Sequence, residues 1–103
     1  MDSEPQPAGL SGLNLGFLER RLQERIFRRG LSDFRRGAVI SCRASPDGVE
    51  GRVQGSSTEP YRVRIALVSG EYAPECDCAY DWDLWCRHSV ALARHYLDGE
   101  MRA

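Results

Sequence analysis

Three cysteines and one histidine, Cys76, Cys78, Cys86 and His88, fall within thirteen residues in the last third of the chain. Thiolate and imidazole are the donors that a structural zinc ion takes four at a time, in a tetrahedron with sulfur at about 2.3 Å and nitrogen at about 2.0–2.1 Å. Soft sulfur also selects zinc over magnesium or calcium. In an extended strand residues two apart share a face, so Cys76 and Cys78 can aim at one point. Residues two apart on a regular helix lie about 200° apart, so Cys86 and His88 cannot both sit on one and converge. The spacing therefore predicts Cys86 in a pre-helical turn and His88 in the first helical turn, where the helix N-terminus favours a thiolate. One structural Zn2+ held by these four side chains is the expectation.

Three rival chemistries use the same residues. A catalytic zinc needs an open coordination position, which four protein ligands do not leave. A Cys86 nucleophile with His88 as its base leaves Cys76 and Cys78 unexplained, and a redox pair of Cys76 and Cys78 leaves the histidine unexplained. His95 is seven residues past His88, roughly 10 Å along a helix, too far to share an ion with the cluster. Cys42 reads as a small buried thiol on the apolar side of a strand. The chain has no phosphate-cradling glycine-lysine loop and no paired carboxylates on a recognisable scaffold, so it is not expected to be an enzyme.

The elements that must bring the cluster together are legible from periodicity. Residues 1–16, with three glycines and two prolines, read as a flexible N-terminal tail, and residues 17–103 as a single domain. Phe17, Leu18, Leu22, Ile26 and Phe27 recur at helical spacing and predict a helix over 17–29, with Asn14 as N-cap and Gly30 as its stop. The period then changes to two. Ala38, Ile40 and Cys42 share one side of a strand over 38–43, and Ser45-Pro46-Asp47-Gly48 is a turn. Further strands follow over 49–54 and 61–68. A second helix runs over about 86–97, carried by Val90, Ala93 and Leu97, and Gly99 ends it. The fold expected is α+β: a small antiparallel β-meander of three to four strands with an N-terminal helix and a C-terminal helix pinned by zinc at 76–88.

A folded body of about 80 residues is of the size that often needs a metal or disulfides. No apolar run approaches the ~20 residues of a membrane span, and the opening MDSEPQPAGL carries acids and prolines where a secretory signal would be basic and then apolar. A cytoplasmic setting without a membrane partner is expected, in which clustered cysteines more often hold metal than pair with each other.

The formal net charge of −1 conceals an uneven distribution. All fourteen basic residues are arginine; eleven of them face only six acids between residues 18 and 64, whereas residues 65 to 103 hold three arginines against seven acids. A basic face able to meet phosphate is compatible with the near-neutral total. GC-rich codon usage would equally account for the missing lysines.

Cys-x-Cys, a gap of seven residues and Cys-x-His, placed directly after a strand and opening a helix, resembles the SWIM zinc finger. The similarity extends upstream through Arg29-Gly30, Phe34, Arg36-Gly37-Ala38-Val39, Val53, Gly55 and Tyr61-Arg62-Val63, and so covers roughly residues 28 to 97. The resemblance implies that Cys76, Cys78, Cys86 and His88 are the zinc ligands. SWIM domains occur in bacterial Snf-type helicase-like ATPases, plant Mu-type transposases and some recombination and ubiquitin-pathway proteins, where they are thought to bind DNA or other proteins. This chain carries no ATPase or transposase domain, which points to a stand-alone module or a small subunit.

Two functions follow as expectations. The first is DNA binding, with sequence-independent phosphate contacts from Arg28, Arg29, Arg35, Arg36, Arg52, Arg62 and Arg64. The second is recruitment of a protein partner such as a helicase-like ATPase, anchored by Trp82 and Trp85 amid Asp77, Asp81 and Asp83. A third account gives the tryptophans the local task of shielding the thiolates from water.

Overall fold

A computed structural model describes residues 13–78 and 85–102. The elements run α1 (Leu15–Arg21), α2 (Glu24–Arg35), β1 (Val39–Ser45), β2 (Gly48–Val53), β3 (Tyr61–Val68), β4 (Glu71–Cys76) and α3 (Arg87–Arg102). The architecture is α+β, as expected, with a four-stranded antiparallel meander in the order β1-β2-β3-β4.

Asn14 does cap the first helix, its Oδ1 accepting from Phe17 N at 2.8 Å. The expected single helix is two, however, because Leu22 and Gln23 are extended. The break serves two docking partners. Phe17 of α1 meets Tyr72 of β4 edge-to-face at 5.2 Å, while α2 lies along α3. Leu13 is buried, and α1 starts at Leu15, just ahead of the expected helix start at Phe17.

Gly30 is not a stop. It lies inside α2, where a Cβ would sit 2.3 Å from Val90 of α3, so it is the notch that lets two helices meet closely. The helix ends instead at Gly37, whose φ is 78°. Gly37 N donates to Phe34 O and Ala38 N to Asp33 O, the paired bonds of a Schellman cap.

In the sheet, Val49, Val53, Val63 and Ile65 point inward and are almost fully buried. The β3–β4 hairpin turns through Ser69 and Gly70, both at positive φ, the backbone that matches strand twist. In β1 the expected alternation fails. A bulge between Val39 and Ser41 puts Val39 and Cys42 on the inner side and leaves Ile40 57% exposed.

Helix α3 is the centre of the molecule. Four consecutive residues, Val90, Ala91, Leu92 and Ala93, are fully buried, which happens only when a helix is covered on more than one side. The sheet covers one side and α2 the other. Gly51 makes room for Leu92, because a Cβ there would meet Leu92 Cδ1 at 2.7 Å and Ser41 O at 2.1 Å. The helix runs through the exposed Gly99, where open space surrounds the backbone.

Candidate metal centre

Strand β4 ends at Cys76, and the chain stays against β3 for one more residue. Asp77 N donates to Arg62 O and Arg62 N donates to Asp77 Oδ1, which carries Cys78 to the same side as Cys76. Opposite them, Cys86 precedes α3 and His88 is in its first turn, as the spacing predicts. Ser89 completes the helix start: its Oγ accepts from Cys86 N at 2.9 Å, so the residue before the helix is fixed by a side chain three positions later.

The four donor atoms lie within 4.8 Å of one another. Around a zinc ion the tetrahedral edges are about 3.6 Å between sulfur and nitrogen and about 3.8 Å between sulfurs. His88 Nδ1 lies 3.7 Å from Cys76 Sγ and 3.9 Å from Cys86 Sγ. The two separations from His88 match those edges to within a few tenths of an ångström, and the widest separation in the cluster exceeds a tetrahedral edge by no more than about 1 Å. None of the cysteines is in a disulfide.

The electrostatics also favour a cation. A hydrogen bond from Cys76 holds the Cys86 thiol down to about 3 against the cost of burial, with further support from His88 and Ser89. The same bond, with burial, pushes Cys76 up. Cys86 is 4% exposed, and a metal ion would neutralise negative charge on the sulfurs gathered there.

His88 is positioned by contacts the sequence reading missed. Its ring packs on Tyr61 at 4.5 Å, and its Nε2 faces Gly55, where a Cβ would come within 2.8 Å. Only the absence of a side chain at 55 leaves room for both rings.

A second missed group is Arg87, which sits between two of the candidate ligands. Its Nε donates to Asp33 Oδ2 at 2.7 Å and its Nη2 to Asp33 Oδ1 at 2.8 Å, a bidentate pair joining α3 to α2. Asp33 is fully buried, and Arg36 donates to it as well. Burial pushes the Asp33 carboxyl up, but the bonds and charges of Arg87 and Arg36 outweigh it and hold the group below its ordinary range.

The remaining expected site residues are dispersed. Trp85 is 1% exposed and belongs to the hydrophobic core, so it is not a surface anchor; burial removes it from the partner reading. Trp82 lies outside the described residues, as do Asp81 and Asp83. Arg28 pairs with Glu24 at 2.7 Å, and Arg36 is engaged by Asp33 and by Gln54 O. Arg29 and Arg35 are exposed on α2. Arg52 and Arg62 are register partners on the outer face of the sheet, and Arg64 lies there between Glu50 and Glu75. Cys42 is half-buried, its thiol pushed up by burial, and His95 packs against Phe34 away from the cluster. Among the described residues no helix is long and apolar enough to cross a membrane.

No family model, curated protein or solved structure matches this chain.

Proposed function

We propose that this chain is a binding module of the SWIM type, stapled by one structural zinc and serving to contact nucleic acid, most simply DNA. The observation that carries the reading is the convergence of Cys76, Cys78, Cys86 and His88 to within 4.8 Å at the junction of β4 and α3. Three thiolates and an imidazole select zinc, and four protein ligands leave no position for a reacting water. The ion would act by fastening strand to helix. No catalytic role is assigned to any residue.

Support for the nucleic-acid half is the surplus of arginine in the first two thirds of the chain. Guanidinium forks suit phosphate, and contacts of this kind are independent of sequence and sensitive to salt. Recruitment by a helicase-like partner loses one of its two proposed anchors, because Trp85 is in the core.

Metal analysis of the purified, reduced protein is expected to find one zinc per chain, and a chelator is expected to abolish the cooperative thermal transition. A zinc-free protein that unfolds cooperatively and ignores chelators would refute the staple. Fluorescence anisotropy with a labelled DNA duplex at low salt tests the other half independently, and no binding at tens of micromolar would end it.

A further inference from the structure

The exposed charges of the two outer layers differ in kind. Along α1, α2 and their caps, residues 14 to 37, seven exposed arginines face two exposed acids, Glu19 and Glu24. Over the strands and turns from 39 to 78, four exposed arginines face six exposed acids. The sheet's outer face is not a field of one sign. Its register sets Arg43, Glu50, Arg64 and Glu75 side by side across all four strands, so positive and negative charges alternate along the row.

Helix geometry sharpens the contrast. With Gly30 pointing at α3, steps of about 100° per residue place Arg25, Arg28, Ser32 and Arg35 within about 40° of the opposite direction, with Arg29 and Glu24, the partner of Arg28, on the same outward half. The buried residues of α2, Ile26, Gly30 and Asp33, occupy the other half. From Arg25 to Arg35 the stripe is about 15 Å long, comparable to the roughly 12 Å width of a B-DNA major groove.

The stripe offers charge without stacking platforms. The aromatic side chains of α2, Phe27 and Phe34, are half-buried; Phe34 packs against His95 and beneath the Arg94 guanidinium. Single-strand binders combine a basic groove with exposed rings on which bases stack, and among the described residues of α1 and α2 the rings, Phe17, Phe27 and Phe34, are all half-buried.

We infer that the α1–α2 face, and not the open face of the sheet, docks on the phosphate backbone of duplex DNA. This placement rests on the nucleic-acid reading above and specifies it.

The test is the salt dependence of duplex binding for two sets of exposed arginines replaced by glutamine. Each lost phosphate contact flattens the slope of log K against log salt by about 0.9. The variant R25Q/R29Q/R35Q is expected to flatten it by about 2.7 if all three make contact. The variant R43Q/R52Q/R62Q/R64Q is expected to change it by less than one contact's worth. Lysine at 25, 29 and 35 should restore the slope, since the contact is one of charge. Thermal midpoints and zinc content measured on the same samples show that all variants are folded.

The larger effect in the sheet variant, equal effects in both, or no effect in either would overturn the placement while leaving DNA binding standing. Wild type that fails to bind duplex sinks the underlying reading instead. Single-stranded DNA or polyglutamate competing as well as duplex of equal charge would overturn the choice of ligand.

Discussion

Two fastenings hold the start of α3, and they use adjacent residues. Cys86 and His88 turn towards Cys76 and Cys78 at the end of β4, whereas Arg87 between them turns away to the buried Asp33 of α2. The first would join helix to sheet through a metal ion from outside the chain. The second joins helix to helix with groups the chain itself supplies, and it is complete without metal. The comparison teaches that the tripeptide Cys86-Arg87-His88 is a junction rather than half of a metal site. Its alternation anchors the central helix to the layers on both of its sides.

Removing the internal fastening separates the two. Asp33→Asn leaves two arginines without their carboxylate, a change that costs about 3–5 kcal/mol when an ion pair is fully buried. Arg87 and Arg36 are 40% and 50% exposed, so water recovers part of the loss and about 2–3 kcal/mol is expected in denaturant unfolding of the zinc-loaded protein. The effect depends on pH with a definite sign. Because the native carboxyl titrates below its ordinary value of about 3.9, its stabilisation is fully present above that value and is lost as pH falls through the lowered native one. The gap between wild type and Asp33→Asn should therefore be constant near neutrality and close below about pH 4. Zinc stoichiometry should remain one per chain. Loss of zinc from this variant would show that the two fastenings are a single cooperative device.

How much of this was legible in sequence follows the distance over which each feature acts. The candidate ligands lie within one short segment, so spacing alone placed Cys86 before the helix and His88 in its first turn. The alternation of Tyr61, Val63, Ile65 and Leu67 likewise announced β3. Asp33 and Arg87 are 54 positions apart, and nothing local pairs them. Glycine misled for a related reason: at Gly30 and Gly99 it read as punctuation, but one is a notch for a partner helix and the other is simply tolerated on an exposed surface. The break at Leu22 and Gln23 contains neither glycine nor proline and answers only to the separate docking of α1 and α2. Ile40 fell on the wrong face because the bulge between Val39 and Ser41 turns it outward, whereas Ala38 and Cys42 lie inward as expected.

Each fastening has a glycine beside it, which allows a finer comparison. Gly30→Ala on the α2 side gains up to about 1 kcal/mol of helix propensity but drives a methyl into Val90, with Arg87 O 3.0 Å away. Overpacking at such a contact costs about 1–3 kcal/mol, and a net loss of about 1–2 kcal/mol is expected, seen as a lower denaturation midpoint with the zinc stoichiometry unchanged. A gain in stability would mean that α2 shifts freely on α3, and that the Asp33 pair alone sets the spacing of the two helices.

Gly55→Ala on the metal side should do the reverse. The new methyl would meet the Tyr61 ring at 2.5 Å and His88 Nε2 at 2.8 Å, side-chain atoms at the start of β3 and in the first turn of α3. Small ring movements relieve the overlap itself, and the cost appears in zinc binding, about 1.4 kcal/mol for each tenfold loss of affinity. His88 cannot move without carrying Nδ1 away from the sulfurs it now meets at 3.7 and 3.9 Å. Groups that orient a metal-bound histidine typically alter affinity 10- to 100-fold, so zinc affinity measured by competition with a chelating dye is expected to fall by at least about tenfold. Unchanged affinity would mean that the histidine is held by the ion alone and that Tyr61 and Gly55 merely fill space around it. A tenfold loss, with the zinc-loaded protein less stable by the same ~1.4 kcal/mol, would show that the sheet-side fastening is tuned by its surroundings, as the Asp33 pair is by burial.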